Sequence, residues 1–164
     1  MRTLRKSIKP IKLAVTEKYQ LYLMYNLDYN YIKIGLCKFG SLNERKNKHV
    51  ANLTAKLAHD RSEISLINNE YQRQLYYLGH ALSPTVGFNI RSDMEVLVTI
   101  NKTARGIDVL RLENILKNAF GELYDKVDMN DNGPDSSGWF YNGPNSVNYK
   151  TPDELCDYFN DVIN

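Results

Sequence analysis

Along Gln20–Asn26, Leu21, Leu23 and Tyr25 alternate with Tyr22, Met24 and Asn26. A period of two predicts a strand. Asp28 to Asn30 supply turn chemistry. Tyr31-Ile32-Lys33-Ile34 is β-branched and aromatic enough to return as a second strand, which Gly35 is expected to end. Ser41 with Glu44 three residues later forms a capping box, so a helix is expected over residues 41–59. Its apolar stripe is Val50, Leu53 and Leu57, with Arg45, His49, Asn52 and Lys56 as a polar stripe beside it. Ile64, Ile67, Tyr71, Leu75 and Leu78 recur at helical spacing and predict a second helix over 62–82. Met94–Ile100 reads as a third strand. Residues 103–124 read as a long helix burying Leu112, Ile115, Leu116, Ala119, Phe120 and Leu123. A loop-rich stretch follows over 125–150, with two Asn-Gly-Pro turns around Trp139-Phe140-Tyr141. The chain closes on a short helix over 151–162, where Thr151 caps, Pro152 takes the first position and Glu154 completes a capping box. The expected architecture is α+β: a small three-stranded, mainly antiparallel sheet flanked by helices, with a helical insertion at about 60–92.

Composition narrows the class. The 164 residues, 43% hydrophobic and 24% charged, fit one domain over 18–164 behind a basic arm over 1–17. No apolar run approaches the roughly 20 residues of a membrane span. The basic N-terminus lacks the apolar segment of a secretory signal. Cys37 and Cys156 are isolated, without zinc spacing, which points to a reduced, intracellular, cytoplasmic protein. Abundant Asn, Lys, Tyr and Ile suggest an AT-rich genome such as a phage's.

The charge is unevenly spread. Residues 1–50 carry eleven Lys/Arg against three Asp/Glu, and the rest carry ten against sixteen. A basic N-terminal third suits a polyanionic partner, although a solvated charged face would look the same. Glu113 shares a helix face with Val109, Leu116 and Phe120, a costly place for a carboxylate unless it is paired or binds a metal. His59 and His80 stand alone and read as surface or packed residues. Asp125, Asp128, Asp131 and Asp135 lack the register and closing Glu of a calcium-binding EF-hand loop.

One ordered set of residues carries a resemblance. Gln20-Leu21-Tyr22 and Lys33-Ile34-Gly35 form two triplets separated by ten residues, Arg45 follows Gly35 by ten, and His49 follows Arg45 by four. Glu113 lies on a helix after the third strand, and Trp139-Phe140 comes later. This series resembles the GIY-YIG nuclease superfamily, and most closely its phage and bacterial branch with KIG as the second triplet. Gln20 replaces the first glycine, and Lys33 replaces the first tyrosine of the second triplet.

The resemblance implies a metal-dependent endonuclease hydrolysing phosphodiester bonds, with DNA favoured over RNA. Tyr22, Lys33, Arg45, His49 and Glu113 would be its site residues. Glu113 would hold Mg²⁺ or Mn²⁺, Arg45 would bind phosphate and Tyr22 would activate water. Lys33 would orient Tyr22, or mark a site that has lost activity, and His49 would assist as acid, base or phosphate contact. Two other readings stand beside it: a catalytically silent module of the same fold that binds nucleic acid or protein, and a small α+β interaction protein whose triplets are accidental.

Overall fold

The structure is a computed structural model and describes residues 16–64, 92–130, 133 and 136–164. Strand β1 (Thr16–Asn26) turns through residues 27–30 into β2 (Tyr31–Lys38), with Asn30 in the left-handed region at φ 58°. Helix α1 (Leu42–Ile64) follows, then β3 (Glu95–Arg105), α2 (Gly106–Leu123), β4 (Asp125–Lys126), β5 (Trp139–Tyr141) and α3 (Pro152–Ile163). The strands form one antiparallel sheet in the order β3-β1-β2-β5-β4.

The α+β class is as expected, but the sheet has five strands rather than three. The two extra strands come from the stretch read as loop. Trp139-Phe140-Tyr141 pairs with Lys33-Ile32-Tyr31 and turns the edge of β2 into an interior position. Asn-Gly-Pro turns on both sides hid so short a strand. Gly35 does not end β2, which runs on to Lys38, so its role lies in space rather than in termination. Thr103-Ala104-Arg105, read as the start of a helix, completes β3 opposite Lys18-Glu17-Thr16. The expected helix over 62–82 falls mainly on residues outside those described, as does most of the basic arm; Thr16 and Glu17 belong to β1. Among the described residues, no helix is long and apolar enough to cross a membrane.

The sheet separates two cores. Leu21, Leu23, Tyr25, Ile32, Ile34 and Phe140 pack with Val109, Leu116 and Phe120 of α2 and Leu155 and Phe159 of α3. Ile115, expected in the stripe of α2, is instead 44% exposed. Helix α3 begins as its capping box requires, with Thr151 and Glu154 exchanging side-chain and backbone hydrogen bonds. On the opposite face Tyr22, Met24, Cys37 and Trp139 meet Leu53 and Leu57 of α1. The stripe of α1 that reads as solvent-facing turns inward here: His49 is fully buried, and Lys56 is buried with Asp60 at 2.8 Å. Lys56 and Asp60 pair with each other and His49 Nε2 meets the Tyr22 hydroxyl, which is what makes their burial tolerable.

Candidate functional site

Antiparallel pairing places Tyr22 directly opposite Gly35 and Met24 opposite Lys33, so these side chains rise from the same face of the sheet. The Tyr22 ring lies across Gly35. A Cβ at residue 35 would fall 2.2 Å from the Tyr22 hydroxyl and 2.4 Å from Cζ, closer than atoms approach. Glycine at 35 therefore opens the slot that the tyrosine fills. At the far end of the ring, the hydroxyl meets His49 Nε2 at 2.7 Å, both groups buried. Helix α1 carries His49 one turn after Arg45. Arg45 lines a groove of about 500 Å³ with Cys37, Lys38, Ser41, Glu44 and Lys48. Burial pushes the Cys37 thiol above its ordinary pKa, and Arg45 partly offsets that.

His49 also meets the edge of Trp139, with ring centroids 5.7 Å apart at 89°. The Lys33 ammonium lies over the Trp139 ring, 5.5 Å from its centroid, and donates to the Ser137 carbonyl. Lys33 is only 3% exposed, so the indole face and the carbonyl dipole take the place of water around its charge. Lys33 was expected either to orient Tyr22 or to mark a site that has lost activity; a hydrogen bond joins the Tyr22 hydroxyl to His49.

Glu113 sits on α2, on the other side of the sheet. Its side chain is 14% exposed and its Oε2 lies 3.3 Å from Lys117 Nζ, one turn on. Lys117 in turn donates to Ser137 Oγ at 3.0 Å. The carboxylate inferred from its place on the core-facing edge of α2 is thus paired, and the pairing residue is lysine. Lys117 and Ser137 were missed. A Glu followed by Lys at i+4 was visible in the sequence, but such pairs are common on solvated helix faces and carry little weight alone. Trp139, expected only to pack, touches both His49 and Lys33.

A single connected path therefore runs Tyr22–His49–Trp139–Lys33–Ser137–Lys117–Glu113, with Arg45 one helical turn from His49. Four of the five nominated residues lie on it. Among the described residues, no group of three His, Cys, Asp or Glu could hold a metal. A lone carboxylate still suits Mg²⁺ or Mn²⁺, ions that keep most of their waters. Lys117 already neutralises Glu113, so a divalent ion there would share the carboxylate with the ammonium or displace it. No family model, curated protein or solved structure matches the chain.

Proposed function

We propose that this protein is a nuclease of GIY-YIG type that hydrolyses phosphodiester bonds in nucleic acid, DNA in preference to RNA, with Mg²⁺ or Mn²⁺. The observation that carries the reading is the 2.7 Å Tyr22–His49 hydrogen bond, seated on Gly35 and one helical turn from Arg45. Hydrolysis needs a group that takes a proton from water. A phenol can do so only if its own proton has somewhere to go, and an imidazole nitrogen at hydrogen-bond distance receives it. Arg45 offers the phosphate a planar, permanently charged fork from the groove beside Cys37. Glu113 would hold the divalent ion, whose chemistry when bound is to neutralise negative charge on a phosphate; in this structure the carboxylate faces the α2 side of the sheet rather than the Arg45 groove. Lys33 adds positive charge close to the Trp139 wall of the same region.

A specific observation favours a second reading. Tyr22, Lys33 and His49 are 1%, 3% and 0% exposed, so the phenol–imidazole pair does not reach solvent in this conformation. A module that binds nucleic acid through Arg45 and its neighbours, and cuts nothing, fits that burial. The test is cleavage of supercoiled plasmid and of single-stranded DNA and RNA in Mg²⁺, in Mn²⁺ and in EDTA, beside Arg45→Ala, Tyr22→Phe and Glu113→Ala. The nuclease reading expects metal-dependent cutting that each substitution lowers by about ten- to a hundredfold, the ratio that corresponds to a lost charged contact of about 1.5–3 kcal/mol. Cutting that survives Glu113→Ala removes Glu113 from the site. Salt-sensitive binding without any cutting establishes the silent module instead.

A further inference from the structure

We infer that Lys117, reinforced by Lys33, forms a phosphate-binding site that works without a divalent metal, on the α2 side of the sheet and away from the Arg45 groove. The inference takes its ligand, a nucleic-acid phosphate, from the proposed function. Three observations support it.

First, two lysines from different elements converge on one point. A Cβ added to Gly138 would meet Lys117 Cε at 2.9 Å and Lys33 Nζ at 3.5 Å. The glycine, at φ +80° and with its carbonyl accepting from the Ile34 amide, leaves the room that both side chains occupy. Two like charges gathered in one place repel, so an anion placed beside them is favoured by both.

Second, the two ammoniums differ in access. Lys33 is buried and held by the Ser137 carbonyl, so it contributes field from behind the loop. The Lys117 side chain is 21% exposed and lines a cavity of about 620 Å³ between α2 and the β4–β5 strands. Ser136, Ser137, Asn114, Asn118 and Lys126 also line it and add hydroxyl, amide and ammonium donors, against Glu122 as its acidic member. That donor set matches a phosphate group.

Third, the Glu113 carboxylate is the anion Lys117 holds now, at 3.3 Å. It is an internal competitor for the ligand. If Lys117 binds the phosphate, neutralising Glu113 frees the ammonium and tightens binding in the absence of metal, and the gain disappears in a Lys117→Met background. If Glu113 acts only by holding a metal, neutralising it merely relieves its repulsion of the phosphate, and the gain persists without Lys117.

The experiment is anisotropy of a short fluorescein-labelled oligothymidylate titrated with the full chain in EDTA, with inorganic pyrophosphate as competitor. Lys117→Met should weaken binding on the order of tenfold, the low end for a charged hydrogen bond. It should also flatten the dependence of log K on log salt by about 0.7, the loss of one phosphate contact on a single strand. Lys117→Arg should keep most of the affinity, which separates lost charge from lost packing. Glu113→Gln should bind severalfold tighter than wild type, and pyrophosphate should displace the oligonucleotide from it. Wild-type binding in EDTA that Lys117→Met leaves unchanged overturns the inference, as does Glu113→Gln binding no more tightly than wild type, a Glu113→Gln gain that persists in the Lys117→Met background, or no binding at all. Plasmid cleavage measured on the same samples keeps the two proposals apart. Lys117-dependent binding without cleavage removes the nuclease and leaves this site standing, whereas cleavage with binding indifferent to Lys117 removes this site alone.

Discussion

Gly35→Ala isolates the contact on which the Tyr22–His49 pair depends. In an ordinary strand this substitution stabilises, by about 0.4–1 kcal/mol, because alanine restricts the unfolded chain. Gly35 does not have the positive φ that would forbid alanine, so only space opposes the change. The new methyl would sit 2.2 Å from the Tyr22 hydroxyl and 2.4 Å and 2.7 Å from two ring carbons, and these belong to a rigid ring in a buried slot. Forcing an extra carbon into a packed core costs typically 1–3 kcal/mol. Moving the hydroxyl off His49 Nε2 adds about 1–3 kcal/mol for buried polar groups left unmatched. The clash exceeds the entropic gain severalfold, and the net loss should be about 2–5 kcal/mol. With urea m-values of about 1–3 kcal/mol/M, the midpoint falls on the order of 1–2 M. Tyr22→Phe should rescue little, because Cζ still blocks the methyl. Tyr22→Ala empties the slot, so in that background Gly35→Ala should cost almost nothing, a coupling well beyond the roughly 0.5 kcal/mol of independent sites. A neutral or stabilising Gly35→Ala, or additivity with Tyr22→Ala, would refute the packing described for this pair.

Two further outcomes can be checked by titration. Burial, with smaller contributions from neighbouring acidic groups, pushes Tyr31 and Tyr124 up to about 12. The fold favours the neutral phenols, so their contribution is complete below the ordinary phenol value of 10.0 and lost as pH rises through about 12. Alkaline unfolding should set in across that window. A folded protein whose tyrosines all ionise together near pH 10 would contradict it. Burial raises the Cys37 thiol, and burial with Asp153 and Asp157 raises Cys156. Ellman's reagent at pH 8 should therefore label the native protein slowly and label both cysteines fast in urea; rapid native labelling of Cys37 would place it at the surface.

What could be read from the residues alone follows a physical line. Leu21–Tyr25 and Tyr31–Ile34 were legible because burial on two faces of a sheet writes a dense apolar and aromatic pattern that local turns then bracket. The helix at Pro152–Ile163 was legible because its signal is local, with cap and partner three residues apart. Trp139–Tyr141 was missed as a strand because three residues hold no period, and only β2 beside them makes them one. The inward turn of His49 and Lys56 was missed for a related reason. A polar stripe reads as solvated until the tertiary structure brings the sheet and the Tyr22 hydroxyl against it; the Lys56–Asp60 pair lies within α1, but such i,i+4 pairs are as common on solvated faces. Glu113 reads from its helix face as needing either a partner or a metal; the structure pairs it with Lys117, and which cation it takes is a matter of rotamers and neighbours that spacing does not encode.

The path from Tyr22 to Glu113 bears on how any substitution along it is interpreted. Its links are a hydrogen bond, an aromatic edge, a cation over a ring, a shared loop residue and an ion pair within α2, and those through Tyr22, Trp139 and Lys33 depend on the register of β1 with β2 and of β2 with β5. A one-residue slip of β1 would send Tyr22 to the α2 face and one of β2 would send Lys33 there, and either breaks the path. Lys33 makes the dependence sharpest. It is buried at the centre of the path, and removing its ammonium frees the Ser137 carbonyl, uncovers the Trp139 face and lowers the field at Lys117. Activity lost in Lys33→Met would therefore not identify a catalytic group. Double substitutions that pair Lys33 with His49 on one side and with Lys117 on the other separate the arms: coupling confined to His49 places Lys33 with the phenol–imidazole pair, and coupling confined to Lys117 places it with the phosphate site.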